Sequence, residues 1–251
     1  VSFDCSKCKD TEWLHTIDEY GRLVSMPCEC REKKIYLKIL EKSGISQEFQ
    51  KIGFKDYLTE NRPEIVRIAK QAAIEYVKNY EIIKDSKENS ICFLAKNKDG
   101  IGAGKTHLSI AIANNLMARN IPVLYMPYRE VMTHLKQLLA SGRRYNKDDD
   151  ENEDYRKEIN RYKIAKVLLV DDLFKGKINA TDINIMFEII NYRSLNQLPI
   201  IVSSEFSQKG LLDFDVGIGS RIIHMCKKYL IEFYLTPEEI KKGMTLNYRL
   251  L

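Results

Sequence analysis

One stretch limits the fold more than any other: Phe93-Leu-Ala-Lys-Asn-Lys-Asp-Gly-Ile-Gly-Ala-Gly-Lys-Thr-His-Leu108. An apolar run, Ile91 to Ala95, leads into a glycine-rich loop, then Lys105-Thr106, then a segment with helical apolar spacing. Strand, loop, helix in that order is what a phosphate-binding P-loop requires. Gly102 and Gly104 let the backbone curl so that successive N–H groups face phosphate oxygens, and Gly100, Ala103 and His107 complete the stretch assigned to nucleotide. Lys105 is placed to reach the β- and γ-phosphates, and the Thr106 hydroxyl to ligate Mg²⁺. The helix that opens at Gly104 adds the positive end of its dipole. The strict pattern G-x-x-x-x-G-K-[ST] wants glycine at 99, where this chain has Asp99 beside Gly100. The expectation is a bulged loop that carries the Asp99 carboxylate outward.

A triphosphate site needs acids as well as a cradle. Lys166-Val-Leu-Leu-Val-Asp171-Asp172-Leu-Phe is a continuous apolar strand that ends in two of them. A buried parallel strand delivers side chains from its C-terminal end to the edge where the P-loop also opens. Asp171 is expected to hold Mg²⁺ and Asp172 to orient and deprotonate the attacking water. Acids also end strands as helix caps. The alternating helices and strands between Lys105 and Asp171 favour the paired, Walker-type reading.

Between and around these motifs the chain alternates. A helix is expected from Pro63 to Ile83, with Ile65, Ile68, Ala69, Ala72, Tyr76, Tyr80 and Ile83 on one face. Strand 123–126, helix 130–140, helix 181–196 (capped by Thr181 or Asp182) and strand 199–205 follow. Residues 141–158, with Asp148-Asp-Asp-Glu151, read as a solvated loop. Lys136, Arg143, Arg144 and Tyr145 combine phosphate-attracting charge with one stacking ring, the chemistry of a single-stranded nucleic-acid contact.

Four of the six cysteines fall in the first 30 residues, as Cys5-x2-Cys8 and Cys28-x-Cys30 around a turn-like Glu19-Tyr20-Gly21. Two close thiol pairs suit tetrahedral zinc, although the second pair has one intervening residue, not two, and His15 is an alternative ligand. Four thiolates leave no open position, so the site is structural and supplies folding energy to a module too small for its own apolar core. Metal rather than disulfides points to a reducing, cytoplasmic setting. No apolar run approaches a membrane span of about 20 residues, and no signal peptide opens the chain. A net charge of +5 is too weak to argue nucleic-acid binding alone. A short helix over 31–42 leads to a domain boundary: residues 1–43 form the zinc module and linker helix, residues 44–251 the ATPase domain.

The residues define a Mg-dependent nucleoside triphosphatase of α/β class, and the sequence around them is more specific. Gly-Ala-Gly-Lys-Thr-His-Leu, Val-Leu-Leu-Val-Asp-Asp-Leu, Asn191-Tyr-Arg-Ser-Leu-Asn-Gln-Leu-Pro-Ile-Ile-Val-Ser-Ser-Glu205 and Gly-Ser-Arg-Ile222 resemble the bacterial replicative helicase loaders of the DnaC/DnaI type. The cysteine-rich head resembles the zinc-binding amino-terminal region of the DnaI-type members. The resemblance implies an AAA+ P-loop core, a parallel sheet flanked by helices without a C-terminal lid, preceded by a small zinc module. It implies ATP, Mg²⁺ and Zn²⁺ as cofactors and a slow, partner-stimulated ATPase. The implied partners are the hexameric replicative helicase, through the head, single-stranded DNA, and further copies of the chain on ATP. By position it implies a sensor role for Ser204 or Glu205 and an arginine finger at Arg221. The Asp-Asp ending of the second motif, where many relatives have Asp-Glu, fits slow turnover. Competing readings are an IstB-type transposition helper, against which the zinc head argues; a small-molecule kinase, which lacks its arginine-rich lid here; and a nucleotide-switch adaptor with little hydrolysis.

Overall fold

The computed structural model describes residues 4–35, 51–95, 100–145 and 153–248. The head is an antiparallel hairpin, β1 (Trp13–Ile17) against β2 (Leu23–Pro27), with Ile17 opposite Leu23. Its turn is set by Asp18, whose carboxylate accepts the backbone N–H groups of Tyr20 and Arg22 at 2.9 Å, and by Gly21 at φ +76°. Those two N–H bonds also hold the Asp18 carboxyl below its usual pKa, Arg22 contributing more than Tyr20. A helical segment begins at Cys30. The remainder of the expected 31–42 helix, and the 43/44 boundary, lie outside the described residues.

Next come α1 (Glu64–Ile83), β3 (Ile91–Ala95), α2 (Lys105–Ala118), β4 (Val123–Pro127), α3 (Tyr128–Tyr145), α4 (Glu153–Ile164) and β5 (Val167–Leu173). They are followed by α5 (Ala180–Leu195), β6 (Ile200–Ser204), α6 (Gln208–Phe214), α7 (Val216–Met225), β7 (Leu230–Phe233) and the short α8 (Pro237–Lys241). The sheet is five-stranded in the order β4-β5-β6-β3-β7, with every pairing parallel. The P-loop strand β3 therefore lies inside the sheet, and all five of its residues are buried. This is why it reads as unbroken apolar sequence and not as alternation.

Strand parity sorts the core into two layers. Ile91, Phe93, Val123, Tyr125, Val167, Leu169, Ile201, Ile231 and Phe233 face α1 and α2. Cys92, Leu94, Met126, Leu168, Val170, Ile200 and Val202 face α3, α4, α5 and α7. Each large side chain so buried contributes about 1.5–3 kcal/mol.

Three expectations change. The buried face of α1 is Val66, Ala69, Ala73, Tyr76, Val77, Tyr80 and Ile83, while Ile68 is exposed. A helical repeat permits both i+3 and i+4 steps, and packing on β3 selected the second set at several turns. The cap of α5 is Asn179, in a reciprocal box with Asp182 at 3.0 and 2.9 Å. The polar 141–158 stretch is not all loop: α3 continues to Tyr145 and α4 begins at Glu153, with residues 146–152 outside the described set. Helix α4 exists because Ile159 and Tyr162, one turn apart, are buried in the second layer. Its charge sits on the opposite face.

Among the described residues, no helix is long and apolar enough to cross a membrane. After α8 the chain turns back to the P-loop, where the Tyr248 N–H donates to the Gly102 carbonyl at 3.0 Å.

Candidate nucleotide site

The site forms where β3, β4, β5 and β6 end, at the N-terminus of α2. Gly104 caps that helix at φ +83° and Gly102 stands at φ +74°, both in the left-handed region that favours glycine. At Gly102 an added Cβ would also fall 2.2 Å from Asn247 Oδ1. At Gly100 it would fall 2.4 Å from the Ala95 Cβ. Lys105 is buried and donates to the Gly100 carbonyl at 2.7 Å. Burial lowers its pKa; Glu205, Asp172 and Asp171 oppose that, while Lys175 adds to it. Asp99, and with it the proposed bulge, lies outside the described residues.

Asp171 is buried and takes three hydroxyl donors: Thr106 Oγ1 at 2.9 Å, Tyr125 Oη at 3.1 Å and Ser203 Oγ at 2.5 Å. Burial raises its pKa, the Ser203 hydrogen bond lowers it, Asp172 raises it, and Thr106 and Tyr125 lower it again. Strand period explains the assembly. Tyr125, Asp171 and Ser203 have odd numbers on strands whose odd residues face α2, so all three arrive beside Thr106. A carboxylate and a hydroxyl make a hard-oxygen pair that fits Mg²⁺. Thr106 and Asp171 would hold the ion, which would neutralise phosphate charge there.

Ser203 and Tyr125 were missed in the sequence. Ser204, one of the two residues expected in the sensor role beside Glu205, turns away from Asp171: its hydroxyl donates to the Leu173 carbonyl at 2.9 Å and accepts the Phe206 N–H at 3.2 Å. Ser203 Oγ also accepts the Asp172 N–H at 2.8 Å. Val170 pairs with Val202 and the register shifts beyond it, so the sheet and not the sequence brings Ser203 to Asp171.

Asp172 itself departs from strand geometry at φ +54°, where the β5–β6 register shifts. Its carboxylate is paired with Lys175 at 2.8 Å. Ala103 is fully buried, its carbonyl accepting the Tyr57 hydroxyl at 2.8 Å. His107 faces Tyr57 edge-on, with ring centroids 5.3 Å apart, and burial lowers its pKa. Both residues thus brace the P-loop helix against the segment before α1. Arg221, on α7, donates to Asn191 Oδ1 at 3.0 Å and the Gly217 carbonyl at 2.7 Å and lies over the Phe187 ring. These contacts hold it on the α5–α7 surface and not among the phosphate-site groups. Lys136 is paired with buried Asp182 at 2.7 Å and stays one-third exposed.

In the head, Cys5, Cys8, Cys28 and Cys30 place their sulfurs within 4.8 Å of one another, with Cys5–Cys28 at 3.8 Å and Cys8–Cys30 at 3.5 Å. Four sulfurs about 2.3 Å from one tetrahedral zinc lie about 3.8 Å apart, so the set fits the ion. His15 is bonded to Ser25 at 2.8 Å and is not among the four.

A five-stranded parallel sheet with a glycine-rich loop after β3, and acids at the end of β5 one strand further than its neighbour β6, has the fold of a P-loop nucleotide-binding core. The crystal structure of DnaI superposes with a TM-score of 0.56 at 23% identity, over 77% of this chain and 93% of that one. No protein-family model matches the sequence. The phage-like element PBSX protein XkdC of Bacillus subtilis is 38% identical over 235 residues, 91% of this chain and 82% of XkdC. The chain belongs to the XkdC family. The replicative helicase loader DnaC of Buchnera aphidicola subsp. Baizongia pistaciae is more distant, 24% identical over 85% of this chain and 79% of its own length.

Proposed function

We propose that this protein is an ATP-dependent loader of a replicative DNA helicase onto single-stranded DNA. The observation that carries the reading is the Lys105, Thr106 and Asp171 constellation at the head of α2, on a chain similar to a DnaC loader. In this reading the P-loop amides and Lys105 bind the phosphates, and Thr106 and Asp171 hold Mg²⁺. Ser203, in place of Ser204, orients Asp171 and reports on the γ-phosphate side of the site. Asp172 orients the attacking water, and Arg221 acts on the site of a neighbouring copy. Residues 1–43 form the zinc module and carry the helicase contact, and residues 44–251 form the motor.

Slow turnover follows from Asp172. Its carboxylate is shorter than a glutamate and already paired with Lys175. The test is co-purification with the replicative helicase of the same organism, using the full chain and a form lacking residues 1–42. The full chain is expected to retain the helicase and the shortened form to lose it. Failure of the full chain to bind would overturn the loader reading in favour of the transposition helper or the adaptor.

A further inference from the structure

Beside the phosphate-site groups stands a charged cluster with no assigned role. Lys175 Nζ lies 2.8 Å from Asp172 Oδ2 and 3.4 Å from Glu205 Oε1, so one ammonium bridges acids at the ends of two adjacent strands. All three side chains are partly exposed, at 46%, 36% and 37%. Asp172 follows Asp171 on β5 and Glu205 follows Ser204 at the end of β6, so the cluster borders the phosphate-site groups. Among the described residues, Asp171, Asp172 and Glu205 set three carboxylates against two ammoniums, Lys105 and Lys175. Of these two cations Lys105 is buried in the loop and Lys175 is partly exposed.

The backbone that presents this lysine is held firmly. The turn from Asp172 to Lys175 is closed by the Lys175 N–H to the Asp172 carbonyl at 3.0 Å. Asp172 and Phe174 both have positive φ, +54° and +62°, a conformation that non-glycine residues adopt only when surroundings enforce it. Here the enforcement is visible. Ser203 Oγ accepts the Asp172 N–H, and buried Phe174 packs among Tyr128, Phe206 and Phe214 with centroids 5.6, 6.2 and 4.6 Å away. The Lys175 backbone is therefore fixed, while its four-carbon stem leaves the ammonium free to exchange partners.

We propose that Lys175 is a nucleotide-state latch: it ties Asp172 to Glu205 when no γ-phosphate is present and passes to the γ-phosphate when one arrives, releasing Asp172 to the attacking water. The bridging ammonium occupies Oδ2, one of the two Asp172 oxygens available to the water's proton. A γ-phosphate carries more charge than either acid and competes for the same donor. The latch would make the site distinguish ATP from ADP.

The inference rests on the nucleotide site proposed above. ATP and ADP dissociation constants are measured for the wild type, Lys175→Met and Lys175→Arg. Lys175→Met is expected to weaken Mg-ATP binding about tenfold, the scale of one charge-assisted hydrogen bond, while ADP binding changes less than about twofold. Lys175→Arg should restore the preference for ATP. Equal effects on ATP and ADP, or no effect on either, would each overturn the latch. Lys105→Ala separates the two possible failures. If it binds ATP as the wild type does, the nucleotide site falls and the latch with it. If it loses ATP while Lys175→Met is silent, only the latch falls.

Discussion

Asp171 is costly to keep ionised. It is buried, it stands next to Asp172, and its charge is tolerated because hydroxyls of Thr106, Tyr125 and Ser203 point at it. A hydrogen bond to a charged group contributes about 1.5–3 kcal/mol, so losing one donor matters. Ser203→Ala should weaken Mg-dependent ATP binding and lower hydrolysis while sparing Mg-free nucleotide binding. Ser204→Ala, whose hydroxyl serves only backbone groups, should leave both nearly unchanged. Nucleotide titration with and without Mg²⁺ checks this; equal losses in the two variants would return the sensor role to an open question between adjacent serines.

At the scale of elements, one buried side chain joins three of them. Arg193 on α5 donates to the carbonyls of Tyr162, Lys163 and Ala165, which end α4 and lead into β5, and to Pro199 ahead of β6. Burial lowers its pKa to about 9, so it remains a cation at neutral pH. Carbonyls that end a helix need donors, and α4 receives them from 28–31 residues away along the chain. Arg193→Met should therefore cost about 3 kcal/mol or more, read as a shift in the urea midpoint, and Arg193→Lys should rescue little because one ammonium cannot span four acceptors. The hairpin makes a different prediction. Ile17, Tyr20 and Leu23 are exposed, so β1–β2 has almost no core of its own and depends on its four thiolates. Metal analysis should find about one zinc per chain; chelation should abolish the ordered hairpin and leave nucleotide binding by the core. A metal-free head that stays folded would refute this.

For the whole molecule, the decisive arrangement is that Arg221 and the P-loop groups sit on different elements with separate contacts. Arg221 is braced by Asn191 and Phe187 on α5. If it completes a neighbour's site, Arg221→Ala should bind ATP normally yet fail to hydrolyse it under assembly conditions. Mixing Arg221→Ala with Asp172→Asn chains should then restore part of the activity, because one pairing in the mixed assembly unites an intact acid with an intact arginine. No recovery on mixing, with assembly verified by light scattering, would place Arg221 outside the catalytic interface.

The sequence by itself determined the parallel α/β core, the glycine-rich loop after β3, the acids that end β5, and the two thiol pairs. Each is written in contiguous residues whose local chemistry has few other uses: an all-apolar strand, glycines at enforced positive φ, and cysteines spaced for one ion. Where the signal lay in long-range geometry, tertiary structure decided. Strand register, not polarity, put Ser203 and not Ser204 against Asp171 and brought Tyr125 there too. Distant capping by Arg193 and burial of Ile159 and Tyr162 made a helix of part of a stretch whose charge reads as loop. Pairing with Asp182 ties Lys136, which stays one-third exposed, to the start of α5. Lys175 lies three residues beyond Asp172 and looks like an ordinary surface lysine in the sequence. Only the bend at Asp172, pinned by Ser203 and by the aromatic nest around Phe174, turns it back onto the acids of the phosphate site.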